Sequence, residues 1–186
     1  MTDHTVVPPS LISIESERYF QLIVRQVTQN DLQALEWDGE YRHFRRLYRD
    51  IYHSSCQGKA VLWVGDLEDE GVIGQVFVQL DSARKELADG VSRAYIYGFR
   101  VQPKYRRLGI GGRMLQTAEQ DLSHRSFQLA TLNVGRENLD ARRFYERYGY
   151  QVVAAEPGRW SYLDDRGNRH EVHEPAWRME KHLARY

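Results

Sequence analysis

Hydrophobic and polar positions follow short periods along the chain and predict an alternation of strands and helices. Apolar runs bounded by turn residues predict strands, whereas apolar positions spaced by three and four predict amphipathic helices. Strands are predicted over residues 20–25, 60–64, 72–80, 94–101, 127–134, 150–155 and 176–183, with a hairpin over residues 160–172 that turns at residues 164–167. Helices are predicted over residues 28–37, 40–52, 111–123 and 138–148. The predicted order is therefore β-α-α-β-β-β-α-β-α-β-β.

The beginning of the chain differs from the remainder. Residues 1–17 are polar, contain Pro8-Pro9 and predict an N-terminal tail that is ordered only in part. Residues 18–186 are predicted to form one domain, because a chain of 186 residues suits a single domain with a substantial core.

The composition argues against several classes of function. The 26 basic and 26 acidic side chains cancel, so no overall charge indicates a nucleic acid or a membrane as partner. Cys56 is the single cysteine, and nothing therefore indicates an oxidising compartment. No leader pattern is present, and no apolar run approaches the ~20 residues of a membrane span. We therefore expect a soluble, cytoplasmic protein.

The segment between the predicted strand 94–101 and the next helix carries the strongest functional signal. It is a basic, glycine-containing loop that leads into a helix start, where unpaired N–H groups bind anions. Gly109 and Gly111 allow the backbone to approach a ligand closely. Arg106 and Arg107 add positive charge. The loop therefore predicts a site for a pyrophosphate-bearing cofactor.

Known phosphate-binding motifs narrow the choice of cofactor. A Walker loop requires Lys-Ser or Lys-Thr after its second glycine, and the segment has neither. A dinucleotide fingerprint has Met114 where its third glycine belongs, and no early βαβ unit precedes it. The run Arg106-Arg107-Leu108-Gly109-Ile110-Gly111 instead resembles the Gln/Arg-x-x-Gly-x-Gly/Ala loop of the GNAT superfamily of acyl-CoA-dependent N-acyltransferases. The alternative is a glycine turn that opens a helix beside surface arginines.

A second motif downstream supports the same resemblance. Residues 138–150 read Asn-Leu-Asp-Ala-Arg-Arg-Phe-Tyr-Glu-Arg-Tyr-Gly-Tyr and resemble the Asn-x-x-Ala-x-x-Phe-Tyr-x-x-x-Gly-Phe/Tyr signature that follows the loop in GNAT proteins. Asn138 is a good helix N-cap, and Gly149 suits the position that ends a helix. The two motifs stand in the family's order and spacing, and the resemblance covers residues 92–153 most strongly.

The resemblance implies a fold and an activity. The fold is α/β (α+β), the GNAT fold, with a mixed central β-sheet of about seven strands flanked by about four helices. The activity is transfer of an acyl group, most often acetyl from acetyl-CoA or a related acyl-CoA, to an amine by direct attack through a tetrahedral intermediate. The acceptor is then a small-molecule or peptide amine, and the protein a monomer or homodimer. A non-catalytic acyl-CoA-binding sensor or scaffold is the alternative.

The resemblance also implies which residues hold the cofactor. Its pantetheine arm is expected to lie beside the signature strand like an added strand, bonded by the backbone of Phe99, Arg100 and Val101. The side chains of Phe99 and Val101 are expected to pack in the core. The pyrophosphate is expected on the loop made of Arg106, Arg107, Leu108, Gly109, Ile110, Gly111 and Gly112. A bulky residue at Gly109 or Gly111 is expected to clash with it, whereas Gly112 is expected to tolerate more.

Two residues of the second motif have implied roles in binding and catalysis. Asn138 and Tyr145 are seven positions apart, two helical turns, and are expected on one face. The resemblance implies that Asn138 bonds pantetheine and that Tyr145 acts as the general acid towards the leaving sulfur. A tyrosine that packs in the core is the alternative for Tyr145.

The general base has no evident candidate. Some relatives carry Glu or His on the signature strand, on the face that continues Phe99 and Val101 backwards. Strand alternation places Tyr95 and Tyr97 on that face, towards the acceptor. A phenol is not a base at neutral pH, so we expect a water-relayed proton, with Tyr97 as a candidate relay. Ordinary strand packing is the alternative for both tyrosines.

Three other features have simpler explanations. The run His170-Glu171-Val172-His173-Glu174 lacks the second histidine of an HExxH zinc motif and follows a turn, so no metal is expected. Cys56 has no surrounding signature and is expected to be a passive thiol. Four arginines follow one face of the predicted helix 40–52 and predict a solvated surface: Arg42, Arg45, Arg46 and Arg49. Because this helix borders the acceptor site in the family, recognition of an acidic acceptor is the alternative.

Overall fold

The computed structural model describes residues 10–15 and 18–184, and ten strands lie in these ranges. They are β1 (Ser10–Glu15), β2 (Arg18–Gln26), β3 (Ala60–Leu67), β4 (Gly71–Gln79), β5 (Arg93–Val101), β6 (Leu129–Gly135), β7 (Gln151–Glu156), β8 (Arg159–Leu163), β9 (Arg169–His173) and β10 (Ala176–His182). Eight strands form one sheet in the order β1-β2-β3-β4-β5-β6-β10-β7, and β8 and β9 form a hairpin. Strands β5 and β6 pair in parallel while the other described pairs are antiparallel, so the predicted mixed sheet is confirmed.

Strand β1 lies inside the segment for which the sequence predicts a polar tail. Its residues 10–15 pair antiparallel with β2 and add an eighth strand to the seven that the remainder of the chain supplies. Strand β2 begins at Arg18, shortly after β1 ends at Glu15, so the two paired strands are also neighbours in sequence. The other residues of the predicted tail lie outside the described ranges.

Three α-helices are present in the described ranges: α1 (Arg45–Cys56), α2 (Ile110–His124) and α3 (Leu139–Arg147). Helices α2 and α3 confirm the predictions closely. The helix predicted over residues 28–37 is instead two 3-10 turns, Gln29–Asp31 and Ala34–Glu36. The second of these turns ends because Trp37, the residue after it, adopts a left-handed conformation with φ of 46°. A further 3-10 turn precedes α1, which therefore begins later than predicted.

The sheet separates two apolar clusters. Helices α2 and α3 cover one face, where Ile96, Met114 and Tyr145 belong to the same buried cluster. Helix α1 and the 3-10 turns cover the other face, where Tyr48 and Phe77 belong to the second cluster. Each face thus buries its own set of side chains, and the position of a residue on a strand decides which helices it contacts.

A β-bulge interrupts β5. The pairing with β4 shifts between Tyr97 and Arg100, so Gly98 and Phe99 together stand opposite one residue. Gly98 has a φ of 58°, and a Cβ at this position would lie 2.7 Å from the Phe77 ring carbon Cδ2. The bulge therefore requires glycine, both for its backbone conformation and for its space.

The bulge overturns the predicted alternation of side chains along β5. Phe99 and Val101 pack on the face of α2 and α3, as Ile96 does. Tyr97 packs on the α1 face, and the Tyr95 ring is stacked on it with centroids 5.5 Å apart. The prediction that the two tyrosines share a face with Phe99 and Val101 is wrong, because the extra residue moves the later part of the strand out of phase.

Helices α2 and α3 approach each other closely at Gly112. A Cβ at Gly112 would lie 1.8 Å from Tyr148 Oη, so the expectation that this position tolerates larger residues is wrong. Gly111 differs, since its Cβ would meet Phe144 Cζ at 3.6 Å, an ordinary contact. The two neighbouring glycines therefore face different constraints.

We expect Gly112→Ala to lower the free energy of unfolding by about 1–3 kcal/mol, because the added methyl forces Tyr148 or α2 to move. Thermal denaturation measures the effect as a lower Tm. Gly111→Ala is the matched control and should keep the wild-type Tm, and Tyr148→Phe should restore part of the stability in the Gly112→Ala background. Equal Tm values for the two alanine variants would contradict the packing described here.

Candidate functional site

The two parallel strands diverge at the centre of the sheet. Strand β5 pairs with β6 only from Arg93 to Ile96, opposite Leu129 to Leu132. Beyond that point β6 continues beside β10, whereas β5 continues to Val101 beside β4. The edge of β5 that faces the opening therefore has no strand partner after Ile96 among the described residues. An open strand edge of this kind can bind an extended, amide-bearing ligand.

The basic loop lies where β5 ends. After Val101 the chain makes a 3-10 turn and reaches Gly109, the N-cap of α2. The first hydrogen bond of the helix runs from Arg113 N–H to Gly109 O at 3.1 Å, so the preceding helical N–H groups remain available to a ligand. Arg106 Nε donates to Val101 O at 2.9 Å and ties the loop to the strand end. The predicted anion cradle thus adjoins the open edge of β5.

Helix α3 and the start of α2 both pack around the Phe99 ring. The Phe99 ring lies 6.4 Å from the Tyr145 ring and 6.0 Å from the Phe144 ring, centroid to centroid. A Cβ at Gly111 would lie 3.8 Å from Phe99 Cζ, which places the start of α2 beside the same ring. The structure therefore brings together Phe99, the loop and Tyr145, as the sequence predicts.

The structure also places the side chains of Asn138 and Arg100, two of the predicted binding residues. Asn138 is the N-cap of α3 and is exposed, and its Oδ1 accepts the Ala141 N–H at 3.1 Å. Its amide nitrogen is the part that remains for a ligand. The Arg100 side chain lies on the α1 face, opposite Phe99, because Arg100 follows the bulge.

The Tyr145 hydroxyl has the properties of a proton donor. Burial raises the pKa of Tyr145 above its ordinary value, with the nearby Tyr95 contributing in the same direction, so the phenol remains protonated at neutral pH. The hydroxyl has no hydrogen-bond partner in residues 10–15 and 18–184. A protonated hydroxyl without a protein acceptor is free to donate to a ligand atom.

Neither tyrosine of β5 can serve as a base. Burial raises the pKa of Tyr95 to about 12, and burial likewise raises the pKa of Tyr97. Both phenols therefore remain protonated at neutral pH, which agrees with the expectation that a side-chain base is absent from this strand.

Asn133 is a candidate that sequence reasoning missed. It directly follows Leu132, the last β6 residue paired with β5, and so stands at the point of divergence. Its Oδ1 is buried without a hydrogen-bond partner, while its side chain contacts the Tyr95 hydroxyl. A buried acceptor without a donor fits an amide or amine N–H of a ligand. A polar amide within the largely apolar strand β6 was the signal in the sequence.

The arginines of α1 and of the 3-10 turn before it are only partly paired with carboxylates among the described residues. Arg42 pairs with Asp165 at 3.2 Å and Arg45 with Glu36 at 2.6 Å. A cleft of about 700 Å³ separates α1 from the β8–β9 hairpin. Its lining includes three further arginines: Arg46, Arg49 and Arg169.

The metal-like run and the cysteine both lie at the surface. His170 lies in the exposed strand β9, and its Nε2 lies 2.9 Å from Asp164 Oδ2. Within residues 10–15 and 18–184 no three His, Cys, Asp or Glu side chains are grouped to hold a metal ion. Cys56 is exposed. None of the helices described here has the length and apolar character needed to cross a membrane.

These features fit one kind of ligand. The helix start and its arginines suit a pyrophosphate, and the open edge of β5 suits a chain of amides. The orphan acceptor of Asn133 and the protonated hydroxyl of Tyr145 lie where such a chain would end. Phosphates, amides and a reactive end in this order characterise an acyl-CoA.

The comparisons with known proteins agree with this assignment. The chain belongs to the acetyltransferase (GNAT) family, whose model matches residues 28–150. No protein of curated function matches the sequence significantly.

Solved structures show the same fold at low sequence identity. Ard1 from Thermoplasma volcanium is similar with a TM-score of 0.67 and 17% identity, over 88% of this chain and 98% of that one. NAA60 from Arabidopsis thaliana, in complex with a bisubstrate analogue, has a TM-score of 0.65 and 19% identity, over 88% and 99%. The spermidine/spermine N-acetyltransferase SpeG from Vibrio cholerae has a TM-score of 0.64 and 16% identity, over 87% and 92%.

We expect Arg107→Gln to weaken CoA binding about tenfold or more, because a charged hydrogen bond to phosphate contributes roughly 1.5–3 kcal/mol. Isothermal titration calorimetry with CoA measures the change in Kd. Arg125→Gln removes the same charge at the opposite end of α2, where Arg125 pairs with Asp121, and should leave the Kd unchanged. An unchanged Kd in Arg107→Gln would remove this arginine from the cradle.

Proposed function

We propose that the protein transfers an acetyl group from acetyl-CoA to an amine. The observation that carries the proposal is the convergence of three elements: the anion cradle, the open edge of β5 and the unpartnered, protonated hydroxyl of Tyr145. Family membership supports the acetyl group as cargo.

The binding roles follow from the positions of the groups. The loop from Arg106 to Gly112 holds the pyrophosphate with helix N–H groups and positive charge. The backbone of Phe99 and Val101 bonds the pantetheine amides. The backbone of Arg100 faces β4 instead, because Gln102 N–H bonds to Ile73 O at 2.8 Å and such bonds alternate along an antiparallel pair. Val101 O already accepts Arg106 Nε, so the Val101 N–H is the group left for the cofactor. The amide nitrogen of Asn138 bonds the same arm from α3.

Tyr145 acts at the leaving sulfur. Acetyl-CoA, when bound, supplies the thioester whose carbonyl carbon the amine nitrogen attacks; a C–N bond forms and the C–S bond breaks. Tyr145 Oη donates a hydrogen bond or its proton to the departing sulfur, and burial keeps that proton in place until then. The raised pKa makes full transfer costly, so hydrogen-bond stabilisation of the thiolate is the larger contribution.

The proton of the amine leaves through water. No residue of β5 is a base, since both of its central tyrosines hold their protons more tightly than usual. Tyr97 relays the proton between the amine and solvent by accepting one hydrogen bond while donating another. The net reaction consumes a neutral amine and releases free CoA.

The acceptor class is open to a direct screen. Relatives of this fold include the ribosomal-protein-S18-alanine N-acetyltransferase of Escherichia coli and spermidine/spermine N-acetyltransferase SpeG, so peptides and polyamines are both included. Thiol release from acetyl-CoA, measured across amines of each class, tests the proposal.

A non-catalytic acyl-CoA-binding domain is the second candidate. The lack of a side-chain base on β5 favours it. CoA binding without thiol release from any amine would decide for this candidate.

We expect Tyr145→Phe to lower kcat about 10- to 100-fold while CoA affinity stays the same, because the ring and its packing remain and only the donor is lost. Steady-state kinetics and calorimetry give the two quantities. An unchanged kcat, with acetyl transfer shown to be rate-limiting by single-turnover measurements, would reduce Tyr145 to a packing residue.

We expect kcat/KM to rise from about pH 7 towards about pH 9 for a lysine-like amine, whose pKa is near ~10.4. The three tyrosines have raised pKa values and stay protonated through this window, so the rise follows the neutral fraction of the amine. Tyr97→Phe should change kcat/KM less than about tenfold. A collapse of activity with CoA binding intact would make Tyr97 a direct participant.

A further inference from the structure

The Arg100 side chain occupies a prepared position on the α1 face. Its guanidinium carbon lies 4.0 Å from the centroid of the Tyr41 ring and 5.1 Å from that of the Phe44 ring. Its Nη1 donates to the Tyr48 hydroxyl at 2.9 Å. Two aromatic faces and one hydroxyl thus fix the plane of the guanidinium before any ligand arrives.

The Arg100 guanidinium forms no ion pair with any carboxylate in the part of the chain that the structure describes, whereas Arg25, Arg45, Arg84, Arg93 and Arg178 all have such partners. Within residues 10–15 and 18–184 the bond to Tyr48 is the one side-chain hydrogen bond of Arg100, so its other N–H donors remain for a ligand or solvent. The side chain is only partly exposed.

The position of Arg100 relative to the proposed site indicates what it contacts. Tyr145 and Phe99 lie on the α2–α3 face, where the cofactor-binding loop begins. An acceptor must approach from a direction that the cofactor does not fill, and the α1 face is that direction. Tyr97 and Arg100 flank the bulge on this face.

We infer that Arg100 binds an anionic group, carboxylate or phosphate, carried by the amine acceptor. The inference rests on the proposed acetyl transfer and names the acceptor class within it: amines that carry a negative charge, rather than polyamines. A planar guanidinium with free donors matches a two-oxygen anion in a bidentate manner. Arg100 is then a specificity-determining residue, held in place by Tyr41 and Tyr48.

The test uses two pairs of acceptors that differ in one charge. Aspartyl-alanine amide is compared with asparaginyl-alanine amide, and phosphoethanolamine with ethanolamine. We expect the wild-type protein to prefer the anionic member of at least one pair by about tenfold or more in kcat/KM. The pair that shows the preference identifies the anion as carboxylate or phosphate.

Variants assign that preference to Arg100. Arg100→Gln should abolish it by raising KM for the anionic acceptor until both members of the pair have the same kcat/KM. Arg100→Lys should restore part of it, because an ammonium keeps the charge without the planar fork. Arg125→Gln, the control of equal charge, should behave as wild type.

The outcomes separate the two proposals. Equal kcat/KM for both members of both pairs in the wild-type protein would overturn the role of Arg100, and so would an equal loss for both members in Arg100→Gln. Absence of thiol release with every amine overturns acetyl transfer itself. In that case the role of Arg100 is tested by calorimetry of the four amines with the CoA-saturated protein. The role stands if an anionic amine binds to the wild-type protein and not to Arg100→Gln, and it falls otherwise.

Discussion

The β-bulge at Gly98 is the constraint on which the arrangement of the site depends. Glycine is required there because φ is 58° and the Phe77 ring leaves no room for a Cβ. The Gly98 carbonyl accepts Gln75 Nε2 at 3.2 Å, which holds the irregular segment against β4. One extra residue in the strand sends Phe99 towards α2 and α3 and Arg100 towards α1. A single strand thereby presents two neighbouring side chains, one towards the proposed cofactor site and one towards the proposed acceptor side.

The opening beside this strand exists because β5 and β6 part after Ile96. Strand β10 pairs with β6 along the whole length of β6, so β6 continues beside β10 after β5 has diverged. The helix that borders the opening is fixed at its end by bonds from Gly149 N–H to Glu146 O and from Tyr150 N–H to Tyr145 O, at 3.0 and 3.1 Å. This closing turn anchors the backbone of Tyr145 itself, so the orientation of its hydroxyl follows from the way in which α3 ends.

A net charge of zero conceals an uneven distribution of paired and unpaired cations. Arg25 is held by Asp31 and Asp66, and Glu156 takes up both Arg84 and Arg178, so these arginines serve the fold. The guanidinium of Arg100 is stabilised by aromatic rings instead. Such a side chain keeps its charge available for a ligand. The zero net charge argues against a polyanionic partner as large as a nucleic acid, but it does not argue against a single anionic group.

The sequence alone determined the family, the order of most elements, and the loop and helix that meet beside Phe99, because these depend on local motifs: Arg106 to Gly112 and Asn138 to Gly149. Tertiary structure decided which face each residue of β5 occupies, since a bulge depends on the neighbouring strand and is invisible to a period of two. It also decided that Gly112 contacts Tyr148 and that Asn133 lies at the divergence of two strands. Contacts between elements distant in sequence exist only once the sheet has formed.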